Sequence, residues 1–245
     1  MGIARSLSVV VPAYNERENL AGAVLDTLNA LAAFDDYEVI VVNDGSQDGT
    51  REVADGLAAD HEHVRVVHHP QNRGFSASYR TGLEHARMAY FTFVPGDHEV
   101  TPESVHAIFG AVGSADIVVP YHGTPWNRTW GRRMLTWICT TQINVLFSYH
   151  LKYFQGPAVY PTVLARALPN TTTGFFFATE MLVNALRMGY TWVEVPLVHR
   201  ERTYGQSKAV RPANIINAQL TIIRLWWHLR IRGNVAARPT AGVGV

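Results

Sequence analysis

Leu7-Ser8-Val9-Val10-Val11-Pro12-Ala13-Tyr14-Asn15-Glu16 decides how this chain folds. Its first half is a short β-branched apolar run, the pattern of a strand buried on both faces, and its second half turns abruptly polar. The same change recurs downstream. Residues 39–42 are a valine-rich run followed by Asn43-Asp44-Gly45-Ser46, with Asp48 and Thr50 beyond, and residues 90–94 run into Pro95-Gly96-Asp97-His98-Glu99. Residues 64–67 and 117–119 read as two further buried strands. Between these runs, residues 20–33, 50–59, 75–87 and 102–112 have helical composition or spacing, with Ser46, Asp48 and Thr101 as caps near their starts. Strands that alternate with helices predict an α/β fold, with a mostly parallel central sheet flanked by helices. In such sheets ligands bind beyond the carboxyl ends of the strands, where this chain is polar.

The polar ends are not phosphate cradles of the glycine-rich kind, because neither follows the spacing of a dinucleotide fingerprint. They offer Glu16 and Asp44 instead, two carboxylates able to accept hydrogen bonds from base N–H groups and ribose hydroxyls. Either segment alone would pass for an ordinary helix start or turn. Their recurrence at successive strand ends favours a nucleoside site. Asp97 and Glu99 stand two residues apart after the fourth strand, and in an extended segment such residues point to one side. Two hard oxygen ligands there suit Mg²⁺ or Mn²⁺ against a diphosphate. An acidic pair by itself is also what a solvated turn looks like.

Taken together, Pro12-Ala13-Tyr14-Asn15-Glu16, Asn43-Asp44-Gly45-Ser46 with Asp48 and Thr50, Asn72-Arg73-Gly74, Asp97-x-Glu99, Glu194-Val195-Pro196 and Arg202-x-x-Gly205-x-Ser207-Lys208 resemble the GT-A fold family-2 glycosyltransferases. Their order most resembles the dolichyl- and polyprenyl-phosphate sugar transferase branch, over residues 7–210. The resemblance implies an inverting single displacement from a UDP- or GDP-sugar. It implies nucleotide-sugar contacts from Pro12, Ala13, Tyr14, Asn15, Glu16, Asn43, Asp44, Gly45, Arg73 and Gly96. It implies metal ligation by Asp97 and Glu99; the residues themselves offer Asp97, Arg202, Lys208 and Glu180 as catalytic candidates, with Glu180 equally able to orient Arg202 or cap a helix. The family's D-x-D-x-Q pattern is altered, with Pro95 at its first aspartate and Glu99 at its glutamine. One carboxylate is lost and one gained. A relative that binds without catalysing is the alternative.

The second half carries the acceptor side. Helical spacing over residues 130–149 sets Arg128, Arg132 and Arg133 at one end of an apolar, aromatic-rich stretch, suited to a lipid phosphate or, more plainly, to a core helix with a solvated basic end. Arg202, Ser207 and Lys208 can clamp donor diphosphate and acceptor phosphate together. Residues 215–232 read as an amphipathic helix with mixed tryptophan and arginine, the composition of an interface helix at headgroup depth. A hydroxyl acceptor would need a carboxylate base, for which Glu180 is the candidate, whereas an anionic lipid phosphate needs cations and no base. Tyr121-His122-Gly123 and Tyr153-Phe154-Gln155-Gly156 depart from the lipid branch's usual Ser-Arg and Asp-x-x-Ser-Gly elements. A hydroxyl acceptor therefore stays open.

With 245 residues and 47% apolar content, the chain has material for one sizeable core, so one domain is expected over residues 1–233, split into a nucleotide-sugar half at 7–120 and an acceptor half at 121–233. Residues 234–245 have the composition of a disordered tail. The 21 Lys and Arg nearly balance the 20 Asp and Glu, which excludes nucleic acid as a bulk electrostatic partner. Cys139 is the single cysteine, so no intramolecular disulfide can form. No apolar run reaches the roughly 18 residues of a membrane span, and no signal peptide is read at the start. The expected location is cytoplasmic, peripheral at the membrane face.

Overall fold

Valines alternate between two cores along the central strands. In the computed structural model, which describes residues 5–123, 130–172, 174–200 and 212–227, β1 (Ser6–Ala13) and β2 (Asp36–Asn43) pair in parallel from Ser6 opposite Asp36 to Ala13 opposite Asn43. Val10, Ile40 and Val42 face a cluster with Tyr79, Phe91, Phe93 and Phe177, while Val9, Val11, Val39 and Val41 face Leu20, Val24, Leu31 and Phe109. This is the period-2 consequence of a strand covered on both sides.

The covering helices are α1 (Leu20–Leu31), α2 (Thr50–Asp60), α3 (Phe75–His85) and α4 (Pro102–Gly110). With β3 (Val64–His68), β4 (Tyr90–Phe93) and the short β6 (Tyr160–Pro161), the main sheet has the order β3-β2-β1-β4-β6, parallel except for β6. The α/β architecture expected from the alternation is therefore present. Thr101 caps α4, accepting the Ser104 amide at 3.3 Å. Ser46 does not cap α2, which starts behind Gly49 at φ 92°, whereas Asp48 Oδ1 accepts the amide of Thr50, the first residue of the helix, at 3.0 Å. Ser46 Oγ and Asp48 Oδ2 accept the amides of Asn15 and Arg17 across the gap between the β1 and β2 loops.

The fifth strand differs from expectation. β5 (Ile117–His122) does not join the main sheet; it pairs in parallel with β7 (Trp192–Leu197) as a separate two-stranded sheet. A single antiparallel bridge, Val118 to Val159, ties it back. The second half also supplies α5 (Trp130–Phe147), α6 (Thr162–Ala167), α7 (Phe177–Arg187) and α8 (Pro212–Trp226). The expected helix over 215–232 is thus described as far as 227, and the tail at 234–245 lies outside the described residues.

Candidate functional site

The carboxyl ends of β1, β2 and β4 open onto one edge, and the loops there are bonded to one another. Asn15, at φ 56°, donates its amide to Ser46 Oγ at 2.9 Å and accepts the Gln47 amide through Oδ1 at 2.9 Å. The Glu16 amide donates to Thr50 Oγ1 at 2.9 Å, and the Glu16 carboxylate accepts Asn19 Nδ2 at 2.7 Å. Partial burial pushes the Asp48 carboxyl up, but hydrogen bonds from the Thr50 side chain, the Thr50 amide and the Arg17 amide outweigh it and hold the group below its ordinary value. The β1 and β2 loops are one pre-formed unit, with Tyr14 exposed at its tip.

Asn43 and Asp44 lie beneath this surface, both buried. Asp44 Oδ1 accepts the Arg73 amide at 2.8 Å and faces His69 Nδ1 at 2.7 Å; Oδ2 accepts the Gly74 amide at 2.8 Å. A carboxylate has no proton to give, so the ring carries its proton on Nδ1 and its Nε2 meets Thr81 Oγ1 at 2.9 Å. Asn43 Oδ1 accepts the Ser46 amide at 3.2 Å, and its Nδ2 donates to His68 Nδ1 at 3.0 Å. Gly45, at φ 70°, lies against the 71–74 loop, where a Cβ would come within 2.5 Å of the Gln71 carbonyl carbon. Asp44 thereby shapes the loop that carries Arg73. His68 and His69 escaped the sequence reading. Two consecutive histidines at the end of an apolar strand were the signal available for them.

The β4 loop joins the same edge. The Gly96 amide donates to the Pro12 carbonyl at 3.1 Å, which places Asp97 and Glu99, both half-buried, beside the β1 loop. The segment is not extended. Gly96 and Asp97 form a turn, His98 sits at φ 55°, and Asp97 Oδ1 accepts the Glu99 amide at 3.2 Å, so the two carboxylates share a turn rather than one side of a strand. No cluster of three acidic, histidine or cysteine ligands occurs among the described residues. Two carboxylates fit a divalent cation that completes its shell with substrate phosphate and water. Glu99 O accepts the Arg200 amide at 2.7 Å, so residue 200 runs beside this loop. Arg202, Ser207 and Lys208 follow it in the chain but lie outside the described residues, as do Arg128 and the side chain of Arg132.

On the acceptor side, Glu180 is 7% exposed at the start of α7. Its carboxylate accepts the Thr171 amide at 2.9 Å, Thr171 Oγ1 at 2.7 Å and the Thr172 amide at 2.9 Å. The Tyr121-His122-Gly123 and Tyr153-Phe154-Gln155-Gly156 elements lie against each other. The His122 and Tyr153 rings are 4.3 Å apart, and the Lys152 ammonium sits 4.0 Å from the centre of the Tyr121 ring. α5 buries Cys139, Ile143 and Phe147 while Trp130, Met134, Trp137 and Val145 stay exposed. α8 packs beside it, Gln219 Nε2 donating to Cys139 Sγ at 3.8 Å, with Leu220, Ile223 and Trp227 exposed. No helix among the described residues is long and apolar enough to cross a membrane.

The chain is similar to known proteins in sequence and in fold. The chain is 30% identical over 237 residues to the polyprenol monophosphomannose synthase of Mycolicibacterium smegmatis, covering 91% of this chain and 87% of that one. It is 30% identical over 213 residues to the undecaprenyl-phosphate mannosyltransferase of Micrococcus luteus, covering 81% and 85%. Similarity to the glycosyltransferase AglD of Haloferax volcanii is 28% over 251 residues, and there the chain spans only 40% of the relative's length. In three dimensions it matches glucosyl-3-phosphoglycerate synthase from Mycobacterium tuberculosis, solved with Mn²⁺, UDP and phosphoglyceric acid, with a TM-score of 0.70 and 18% identity over 91% of this chain and 78% of that one. That likeness establishes the GT-A fold. Residues 8–166 match the family described as Glycosyl transferase family 2, and with the strand-end loops in place the chain belongs to that family and is a glycosyltransferase.

Proposed function

We propose that this protein moves a sugar from a nucleoside-diphosphate donor to a polyprenyl phosphate, with inversion, at a membrane surface. The observation that carries the acceptor class is Glu180. A hydroxyl acceptor must lose a proton to a positioned base. Glu180, the candidate, is buried and bonded to three donors of the 171–172 loop, so it positions that loop. A phosphate oxygen is already anionic and needs no such base. Two relatives named for polyprenol and undecaprenyl-phosphate mannose transfer support the same reading.

In this reading the unit formed by Tyr14, Asn15, Glu16 and the Asn43 to Gly45 turn, with Arg73 from the next loop, receives the nucleoside of a UDP- or GDP-sugar. Asp97 and Glu99 would hold Mg²⁺ or Mn²⁺, which offsets the charge developing on the leaving diphosphate. Arg202 and Lys208 steer and neutralise the two phosphate groups, with Ser207, Arg128 and Arg132 on the acceptor. The lipid phosphate oxygen forms a bond to the anomeric carbon as the bond to the donor diphosphate breaks on the opposite face. The diphosphate leaves with the electron pair. The exposed apolar faces of α5 and α8 support peripheral placement at a membrane surface, where a long isoprenoid chain stays in lipid.

The test is transfer of labelled sugar from UDP- and GDP-sugars into an organic-extractable polyprenyl-phosphate fraction, with and without Mg²⁺ or Mn²⁺. Label in the lipid phase is expected, cut by about a hundredfold or more in Asp97→Ala, with Glu180→Gln milder than Asp97→Ala. Transfer only to hydroxyl acceptors, abolished in Glu180→Gln, would overturn the lipid-phosphate reading.

A further inference from the structure

The turn that carries Asp97 and Glu99 is held by residues to which no donor or acceptor contact has been assigned. His98, between the two carboxylates, adopts a left-handed backbone at φ 55°. Few residues other than glycine stay there unless their surroundings over-determine them. Its ring packs on α1, where Nε2 lies 2.8 Å from Asp26 Oδ2. Gly22, one turn earlier on α1, makes room for it: a Cβ there would come within 2.5 Å of the ring. Arg200 closes the group, with Nη2 donating to Asp26 Oδ2 at 3.1 Å and Nη1 2.8 Å from His98 Nε2. Its amide donates to the Glu99 carbonyl at 2.7 Å. Asp26 Oδ2 is thus shared between the His98 ring and the Arg200 guanidinium. α1, the β4 loop and the end of the segment after β7 are thereby joined at one half-buried cluster, with side-chain exposures of 26% for His98, 24% for Asp26 and 37% for Arg200.

We propose that Asp26, His98 and Arg200 are positioning residues that hold the 97–99 turn in the shape a divalent cation requires and tie it to the segment leading to Arg202. The inference rests on the reading of Asp97 and Glu99 as the cation's ligands. Its physical reason lies in the altered ligand pattern. With Pro95 unable to contribute a side-chain oxygen, Asp97 and Glu99 must present theirs from a turn whose central residue is in a strained region. A turn of that kind keeps its shape only if the residue between the ligands is fixed. The cluster fixes its side chain through Asp26 and the Arg200 guanidinium, and the Arg200 amide holds the carbonyl of the next residue, Glu99.

The readout is Mn²⁺ affinity in the presence of UDP or GDP, followed by the electron paramagnetic resonance signal of free Mn²⁺, with thermal stability measured in parallel. Asp26→Asn, nearly isosteric, and Gly22→Ala, which displaces the ring without changing any charge, are each expected to weaken Mn²⁺ binding roughly 10- to 100-fold, the usual cost of losing support behind a ligand. Alanine is the better helix former, so Gly22→Ala should not melt earlier. A fold-maintaining role alone would instead lower stability and leave Mn²⁺ affinity intact. Asp97→Ala separates the two levels of the argument. If it binds Mn²⁺ as the wild type does, the cation reading fails. If it loses Mn²⁺ while Asp26→Asn binds normally, the cation site stands and the positioning role is refuted. Should Gly22→Ala not fold, Asp26→Asn decides alone.

Discussion

A carboxylate withdrawn from water persists as an anion only where donors replace the solvent it gives up. Glu38, Asp44 and Glu180 meet this condition in the same way, each bonded partly to backbone amides. Glu38 accepts Ser8 Oγ at 2.7 Å and the Arg87 amide at 2.6 Å and pairs with Arg65, joining three strands near their amino ends. Asp44 and Glu180 do the equivalent work for loops around the site. Asp44→Asn therefore has a definite consequence, because an amide cannot accept from the Arg73 amide, the Gly74 amide and His69 together. At least one donor is left facing an NH₂ group, which costs about 1–3 kcal/mol. The loop carrying Arg73 loosens, so KM for the nucleotide sugar should rise about tenfold, equivalent to about 1.4 kcal/mol of lost binding, with kcat changing less. Steady-state kinetics and urea unfolding measure both; a kcat loss at unchanged KM would contradict this role. The sequence marks Asp44 as a nucleoside contact but does not show that its carboxylate also holds the 73–74 loop. Its donors come from residues 25 to 30 positions downstream, and no local pattern reveals such a partner.

Helices and strands repeat that lesson at the next scale. The β1, β2 and β4 ends were readable because an apolar run followed by polar residues is a local signal. β5 was read as a sheet strand from the same signal, yet its partner is β7, more than seventy residues on, since Ile117 pairs with Trp192. Strand pairing is decided by which edges are left uncovered once helices have packed, and a single run of valines carries no information on that. α5 was legible as a helix, but only the fold shows which face was used. Cys139, Ile143 and Phe147 went inward, leaving Trp130 at 74% and Trp137 at 67% exposed on the other side. Tryptophans so exposed gain little from water and much from a headgroup layer. The double substitution Trp130→Ser with Trp137→Ser should lower partitioning onto phosphatidylglycerol-containing vesicles about tenfold or more, from the apolar area no longer buried. Unfolding free energy should move by less than about 0.5 kcal/mol, as for surface positions generally. Vesicle co-sedimentation reads the first quantity, and equal sedimentation of mutant and wild type would remove these residues from the membrane contact.

Across the whole molecule, the two cores on opposite faces of the sheet are unlike in one respect that pH can report. The core beneath α3 contains Tyr79 and Tyr160, both buried, beside Phe91, Phe93 and Phe177. Burial pushes the Tyr160 phenol up, and burial together with the nearby Tyr160 pushes Tyr79 well above the ordinary value of 10.0. The opposite core, under α1 and α4, has no such group among its buried hydrophobic residues. In the unfolded chain both phenols ionise near pH 10, whereas in the fold they keep their protons. The unfolded state therefore binds fewer protons above pH 10, and stability must fall as pH rises. It is fully present below about pH 10 and declines above it by about 1.4 kcal/mol per pH unit for each tyrosine, or about 2.7 kcal/mol together. Cys139, raised by burial from 9.0, adds a further decline that begins nearer pH 9. Urea unfolding at pH 8, 10 and 11 reads this slope directly. Tyr160→Phe should remove about half of the tyrosine contribution above pH 10 while leaving stability at pH 8 within about 1 kcal/mol, because the ring and its packing are kept. A flat profile through pH 11 would mean that both phenols reach solvent in the native state, and that the α3 face of the sheet opens where the static structure has it closed.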